Sequence, residues 1–366
     1  MKNLIVLLMS LFLLSCGGED DLVNDVSSDG FDREAMLNNW ADNIIIPVYT
    51  DYETKLQTLK TATTSFTTTQ NQTNLDALRM AYLEAYKTWQ YVVLFSGIGK
   101  AAELNVNHWV NTYPTNAATI ETNIANGSTN FSLSSTNTQQ GFPALDYLFY
   151  GVGADDAALL TAYNDANYRT YLTTVVDRLI ALNTPVLNDW NDTYKATFIA
   201  SSGNSIGSSV NVMVNDYIFN YEKYFRIYKL GGPLAIFGGT VRAQDVESYY
   251  GGQSKELCLA ALDAIQDFFS GKHYSNTTEG DSFKSYLTYL DTMKDGEALA
   301  PLMVSQMEAA RTQINLLSNS FSEQLENDTA PAYTAYTEIQ KLVPMLKVDM
   351  MSAFNISFDY QDNDGD

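Results

Sequence analysis

Apolar residues recur every three or four positions along most of this chain, and this repeat limits the fold more than any other sequence feature. The spacing places side chains on one face of an α-helix, whereas a half-buried strand needs strict alternation, of which the sequence has no convincing run. The apolar faces begin at Leu75, Tyr168, Leu257, Leu299 and Tyr333. Three prolines inside or beside such runs are expected to kink or end helices, namely Pro47, Pro185 and Pro344. The sequence therefore predicts an all-α fold made of antiparallel helix bundles.

Two segments interrupt the helical pattern. Residues 111–140 are rich in Thr, Asn and Ser, and predict a long surface excursion. Residues 229–254, here called the glycine-rich loop, hold six glycines and a proline between two helices. Loops of this length inside a compact domain are usually functional. The chain divides near residues 192–205, which predicts two bundle-like halves packed against each other, an N-terminal half over 31–200 and a C-terminal half over 201–366.

The N-terminus has the layout of a secretory signal, with one lysine followed by a short apolar run. The run is too short, and its flank too polar, for a membrane-spanning helix. It ends in Leu-Leu-Ser-Cys, which resembles the lipobox of bacterial lipoproteins and implies lipidation of Cys16. Residues 1–15 are interpreted as a lipoprotein signal peptide and residues 16–30 as an acidic tether. We expect an outer-membrane lipoprotein of the cell envelope that faces the periplasm or the cell surface.

The chain is strongly acidic. Its formal net charge is −22, and loss of Lys2 with the signal peptide makes it −23. Such a surface repels nucleic-acid phosphates, so we expect no nucleic-acid partner. Once Cys16 is lipidated only Cys258 remains, and no intramolecular disulfide can form. Stability must therefore come from the core.

The stretch GFPALDYLFYG, residues 141–151, has the local features of a helix start. Gly141 precedes the helix, and Pro143 lies in a first turn, where its missing N–H costs little. Asp146 follows Pro143 by three residues and shares its helical face. The residues predicted to face the core are Leu145, Leu148 and Phe149.

The glycine-rich loop does not match a phosphate-binding loop, because it lacks both the G-x-x-x-x-G-K-[ST] pattern and a preceding strand. Glu247 lies among glycines and aromatic residues without an obvious structural role, which makes it a candidate site residue. Ser254 is expected to cap the following helix, with Glu256 in the first turn. Lys229 precedes a glycine pair and is suited to the C-terminal dipole of its own helix.

Histidine is nearly absent from the chain. Neither His108 nor His273 has a second ligand at a metal-binding spacing, and no G-x-S-x-G elbow is present. Each is expected to be an ordinary surface or helix-end residue. The tail over 362–366 resembles the start of a calcium loop but stops before the glutamate at position twelve, so we expect a solvated acidic terminus.

Several segments together resemble the imelysin-like proteins of bacteria. The stretch AYLEAYKTWQYVVLF resembles the early helix of that family, and GFPALDYLFYG lies over its G-x-H-x-x-E signature. YKLGGPLAIFGG and VESYYGGQS resemble its second-half block, a Lys-Leu-Gly turn followed by Glu-Ser and a further Ser. The resemblance covers about residues 40–350. It implies an all-α fold of two bundle-like halves with the signature near their contact, a periplasmic or surface location, and an association with iron acquisition.

The signature is degenerate in this chain. Gly141 is kept, but the histidine position holds Pro143 and the glutamate position holds Asp146. A founding member of the family was described as a metallopeptidase, a chemistry that needs three protein ligands and an activated water. The motif here supplies one ligand at most. We therefore expect no catalysis. We assign no metal to the site, with iron as the candidate and zinc disfavoured.

The resemblance implies ligand-binding roles for Asp146, Glu247, Ser248, Ser254 and Lys229. The favoured function is a lipid-anchored, non-catalytic binding protein for uptake of iron or an iron-bearing ligand, acting with an envelope uptake partner. The alternatives are a structural or partner-docking lipoprotein with a decayed pocket, and a metallopeptidase. We further predict that Asp146 lies within about 10 Å of Glu247 or Ser248 in a shared cleft, with Lys229 or Arg242 offsetting the repulsion between the carboxylates.

Overall fold

Residues 29–358 are described in a computed structural model of the chain, and their regular structure is almost entirely helical. Within this range the strands are a two-residue antiparallel pair, Met293–Lys294 with Glu297–Ala298. The all-α prediction is confirmed. The predicted signal peptide, the lipidation site Cys16, most of the acidic tether and the tail over 362–366 lie outside the described residues. In the described part of the chain, each helix is either too short or too polar to cross a bilayer.

The α-helices before residue 201 are α1 (Arg33–Asn39), α2 (Ile46–Thr68), α3 (Gln72–Val92), α4 (Gly99–Glu103), α5 (Val106–Val110), α6 (Ala117–Ala125), α7 (Gly141–Asp146), α8 (Asp156–Ala162), α9 (Ala166–Asp189) and α10 (Lys195–Ala200). Those after residue 200 are α11 (Ser209–Phe219), α12 (Ser254–Ser270), α13 (Phe283–Tyr289), α14 (Leu299–Asn315), α15 (Phe321–Asn327), α16 (Ala330–Gln340), α17 (Leu342–Pro344) and α18 (Met351–Ala353). The π-helical segments are Trp40–Ile45, Tyr147–Gly151, Trp190–Tyr194, Asn220–Gly231 and Met345–Met350. The 3₁₀ segments are Val93–Phe95, Ser134–Gln139 and Ala243–Asp245.

The apolar faces predicted from the sequence are buried. The face of α3 comprises Leu75, Leu78, Tyr82, Ala85, Trp89 and Val92, and all of them lie in the core. Equivalent faces of α9, α12 and α14 pack in the same way, and removal of their apolar area from water is the main stabilising term. Two residues that begin these faces are less buried: Tyr168 is half-buried, and Tyr333 is 40% exposed while its hydroxyl donates to the Leu234 carbonyl at 3.0 Å.

The helices form two groups that share one core. In the first group α2 packs against α3 and α9, and in the second α14 packs against α12 and α16. Contact between α3 and α12 joins the groups, and the buried apolar residues form one continuous cluster. The predicted arrangement of two bundle-like halves packed together is confirmed. Cys258 on α12 is a buried free thiol within this core.

The prolines act differently from one another. Pro47 lies at the start of α2, where its missing N–H is tolerated, and Pro344 is the last residue of α17. Pro185 lies inside α9, which continues to Asp189 before the π-helical segment begins. Of the two predicted effects, Pro185 does not end its helix, since packing of α9 against its neighbours outweighs the lost hydrogen bond.

Residues 111–140 are more ordered than their composition predicts. They contain α6, whose Ile120 and Ile124 are buried, and Asn116 caps it by accepting from the Thr119 N–H. Most of the segment is exposed or half-buried, as predicted for a surface excursion, and the helix within it is what the composition did not predict. A four-residue apolar spacing within a polar stretch is the signal that identifies the helix.

Gly141 allows a close approach of backbones at the start of α7. Its φ is +76°, and a Cβ there would lie 2.2 Å from the Val110 carbonyl oxygen. We predict that Gly141→Ala lowers the free energy of unfolding by about 3 kcal/mol or more, because backbone strain and overlap add. The matched control is Gly207→Ala, at φ +89° with nothing within 4 Å, where about 1 kcal/mol of backbone cost is expected. Urea denaturation measures both, and equal losses would contradict the overlap argument.

Candidate functional site

A buried carboxylate, Asp146, joins the first helical group to the glycine-rich loop. It ends α7 and is 2% exposed. Its Oδ1 accepts hydrogen bonds from Ser248 Oγ at 2.9 Å and from the Gly251 N–H at 3.1 Å, and its Oδ2 accepts from the Tyr250 N–H at 2.7 Å. The Tyr82 hydroxyl on α3 donates a longer bond to Oδ1, at 3.3 Å. One carboxylate thus connects α3, α7 and the loop.

The loop backbone is bent so that its N–H groups point at this carboxylate. Ser248 has a φ of +54° and Gly252 a φ of +65°, both in the left-handed region. The Gly252 N–H donates to the Ser248 carbonyl at 2.9 Å and closes the turn. A Cβ on Gly251 would lie 2.7 Å from Asp146 Oδ1, so a glycine is needed for this approach.

Burial raises the pKa of Asp146 from its ordinary value of 3.8 to about 6, because the ionised form loses its hydration. Hydrogen bonds from Tyr250, Ser248 and Gly251 favour the ionised form and offset part of this effect. Desolvation is the dominant cause of the raised pKa, and repulsion from Glu247 is not among the causes.

A second buried polar cluster lies beside the first. Lys229 Nζ forms an ion pair with Glu247 Oε2 and donates to Gln90 Oε1 at 2.8 Å. Gln90 Nε2 and Asn111 Nδ2 both donate to Glu247 Oε1, at 3.2 and 2.9 Å. A buried pair is tolerated only when its remaining polar atoms find partners, and here they do. Because Gln90 belongs to α3, this cluster is a second link between α3 and the loop.

The predicted proximity is confirmed, since the Ser248 hydroxyl lies 2.9 Å from the Asp146 carboxylate. Of the two candidate cations, Lys229 is the partner of Glu247. Arg242 forms an ion pair within its own exposed part of the loop. The two carboxylates belong to adjacent polar clusters, each neutralised or hydrogen-bonded by its own partners.

The predicted cap by Ser254 is wrong. Helix α12 begins at Ser254 itself, and Gln253 in the cap position makes no side-chain cap bond. Ser254 Oγ donates instead to the Glu247 carbonyl at 2.6 Å. The hydroxyl is drawn back to the loop because the buried carbonyl needs a donor. Glu256 lies in the first turn of the helix, as predicted.

Two cavities flank the segment Tyr113-Pro114. The smaller, here called the Asp146 cavity, has a volume of about 300 Å³ and is lined by Pro143, Asp146, Ser248, Tyr249 and Tyr250 among others. The larger, here called the Tyr228 cavity, has a volume of about 480 Å³. Both fall in the size range of small-molecule sites.

The predicted site residues differ in their access to these cavities. Asp146 and Ser248 line the Asp146 cavity, together with Pro143 at the degenerate signature position. Glu247, Lys229 and Ser254 are buried behind it. Their role in ligand binding stays a prediction, and the contacts they make hold the loop in place.

The described residues offer few metal ligands near the signature position. Among residues 29–358, no three His, Cys, Asp or Glu side chains are grouped to hold a metal ion. His108 lies in the last turn of α5, as expected for a helix-end residue, with Nε2 3.1 Å from Ser134 Oγ. Proline at position 143 offers neither a ligating atom nor a proton.

Sequence reasoning missed three residues of the polar clusters, namely Tyr82, Gln90 and Asn111. Tyr82 was interpreted as a core residue of α3, and its hydroxyl reaches Asp146 from that core position. Gln90 follows Trp89 near the buried end of α3, and a lone amide there is the signal that could have identified it. Asn111 gives no signal in the sequence, because only folding brings it to Glu247.

The raised pKa of Asp146 predicts a specific dependence of stability on pH. In the unfolded chain this carboxyl ionises near 3.8, whereas in the folded chain it keeps its proton up to about pH 6. The folded state therefore binds more protons between these values, and stability falls as the pH rises. Relative to Asp146→Asn, the wild-type chain should lose about 2 kcal/mol of unfolding free energy between pH 4 and pH 7.

Urea denaturation across that range measures the difference. Asp192→Asn, which changes an exposed carboxylate, is the matched control. A difference between wild type and Asp146→Asn that does not vary with pH would contradict the raised pKa, and a ¹³C-carboxyl NMR titration gives an independent value.

The chain is similar to known proteins in both sequence and structure. The family model Imelysin matches residues 45–346. An iron-regulated protein A precursor from Parabacteroides distasonis ATCC 8503 has a similar structure, with a TM-score of 0.73 at 19% identity, over 88% of this chain and 95% of that one. An imelysin-like protein from Psychrobacter arcticum 273-4 has a TM-score of 0.70 at 15% identity, over 90% and 97% of the two chains. No curated protein matches. Because the family model spans most of the sequence, the chain belongs to the imelysin family.

Proposed function

We propose that this chain is a lipid-anchored binding protein of the cell envelope that serves uptake of iron, carried as an iron-bearing ligand, and that it catalyses no reaction. The observation that most supports this is that the degenerate signature has lost its histidine and that its carboxylate is already hydrogen-bonded. Pro143 lines the Asp146 cavity without a ligating atom, and both oxygens of Asp146 already accept hydrogen bonds from the loop. What remains is a cavity with a polar wall, which is the form of a binding site.

The chemistry of the cavity favours chelated iron over a bare ion. A ferric ion would need several ligating side chains, and Asp146 could supply one only by releasing the donors that hold the loop. A preformed iron complex has no such requirement. Its organic part can contact Tyr249, which is 38% exposed, and Tyr250 on the same wall.

The link to iron rests on two supports. The family resemblance implies an association with iron acquisition, and one structural neighbour is described as an iron-regulated protein A precursor. The family model carries a peptidase name, but the signature here lacks the ligands that such chemistry needs. A structural lipoprotein with a decayed pocket is the remaining alternative, and the open volume beside Asp146 favours binding over it.

Protein purified from iron-limited native cells should contain iron that survives gel filtration, as measured by inductively coupled plasma mass spectrometry. Tyr249→Ala should lower the iron content severalfold, because it removes one wall of the Asp146 cavity. Tyr289→Ala, an exposed tyrosine outside both cavities, should leave the content unchanged. Wild-type protein free of iron and of small molecules would favour the structural alternative, and zinc-dependent peptide cleavage would favour a metallopeptidase.

Membrane attachment is proposed to depend on Cys16. Two or three acyl chains on one cysteine hold a protein firmly at a bilayer. Cys16→Ser should therefore move the protein from the membrane pellet to the soluble fraction of lysed cells, as measured by immunoblot. Cys258→Ser changes the buried thiol of α12 and should leave the distribution unchanged. Retention of the Cys16→Ser variant in the pellet would contradict the anchor.

A further inference from the structure

We propose that the Tyr228 cavity is a second ligand site, distinct from the Asp146 cavity, and that it binds a neutral disaccharide. The cavity lies between the segment after α4 and the end of the π-helical segment Asn220–Gly231. Its volume of about 480 Å³ is sufficient for a small organic ligand. The proposal rests on the chemistry of the walls and does not depend on the iron-uptake function.

One wall is aromatic. Tyr113 and Tyr228 meet edge to face, with ring centroids 6.2 Å apart, and Tyr224 and Tyr228 are tilted with centroids 5.7 Å apart. Tyr228 remains 39% exposed, so part of its ring is free to contact a ligand. The C–H face of a sugar ring packs against such a surface, while the sugar's hydroxyls remain available on its edge.

Other residues that line the cavity carry amides and hydroxyls. Asn137 Nδ2 lies 3.4 Å from Thr112 Oγ1 and 3.5 Å from His108 Nδ1, contacts longer than the ordinary hydrogen-bond range. Asn105, which precedes α5, makes no side-chain cap bond to that helix. Carboxamides donate and accept at once, as sugar hydroxyls do, so these groups match a polyhydroxylated ligand.

The charge of the cavity favours a neutral ligand. Among the described residues that line it, Arg242 and Asp245 pair with each other. Lys223 Nζ lies 5.3 Å from the centroid of the Tyr228 ring and is one cation near the cavity, whereas the chain as a whole carries a formal charge of −22, which disfavours the approach of an anion. An acidic sugar would approach against this field.

Isothermal titration calorimetry on the purified full-length protein, in a detergent without a sugar headgroup, tests the proposal. The probes are maltose, cellobiose, xylobiose and N,N′-diacetylchitobiose, with digalacturonic acid as the charged comparison. We expect at least one neutral disaccharide to bind with a Kd below about 1 mM, and digalacturonic acid to bind at least about tenfold more weakly. Failure of all four neutral probes at about 10 mM would overturn the proposal.

Variants locate the site. Tyr228→Ala should weaken binding at least about tenfold, while Tyr228→Phe keeps the ring and should stay within about threefold. Asn137→Ala tests the amide wall and should also weaken binding, and Tyr289→Ala is the control outside the cavity. Unfolding midpoints of all variants are measured first.

Binding that is unaffected by both Tyr228→Ala and Asn137→Ala would overturn the assignment to this cavity. Tight binding of digalacturonic acid would overturn the assignment to a neutral ligand.

Discussion

The geometry of this site depends on one buried carboxylate. Asp146 at the end of α7 loses its hydration on folding, and that loss is offset only by donors that the protein itself supplies. Two of these donors are backbone N–H groups, from Tyr250 and Gly251, and they are available only because the loop turns through positive φ at Ser248 and Gly252. The position of this part of the loop, and hence the shape of the Asp146 cavity beside it, follows from the requirement to satisfy this carboxylate.

The Lys229 and Glu247 pair strengthens the same connection from the other side. An ion pair buried this deeply contributes little net stability, but removal of either partner leaves an uncompensated charge. Gln90 and Asn111 complete its hydrogen bonds, so the pair also specifies where α3 and the segment after α5 must lie. Two polar clusters in an otherwise apolar contact thus select one arrangement of the two helical groups.

This arrangement changes the meaning of the degenerate signature. In the sequence, Pro143 at the histidine position and Asp146 at the glutamate position indicate a signature that has lost metal ligands. In the fold Asp146 is fully engaged in holding the loop, while Pro143 contributes only to a cavity wall. The residues available to a ligand are instead the tyrosines and amides around Tyr113-Pro114, which belong to no recognised motif. The binding that we propose for this chain therefore falls to residues beside the signature and not to the signature residues themselves.

The sequence by itself determined the fold class, because apolar residues spaced three and four apart can be buried together only on helical faces, as Leu75, Leu78 and Tyr82 are. It also indicated that Asp146 and the glycine-rich loop meet, through a signature whose segments lie far apart in the chain. Tertiary structure alone decided what each polar side chain does there. Ser254 could have capped α12, but it donates to the Glu247 carbonyl. Asn111, in a stretch of surface composition, reaches Glu247 across 136 residues. Local spacing encodes which face of a helix is apolar, whereas the partner of a buried polar atom is set by whichever donor or acceptor the packing of distant elements brings within hydrogen-bond distance.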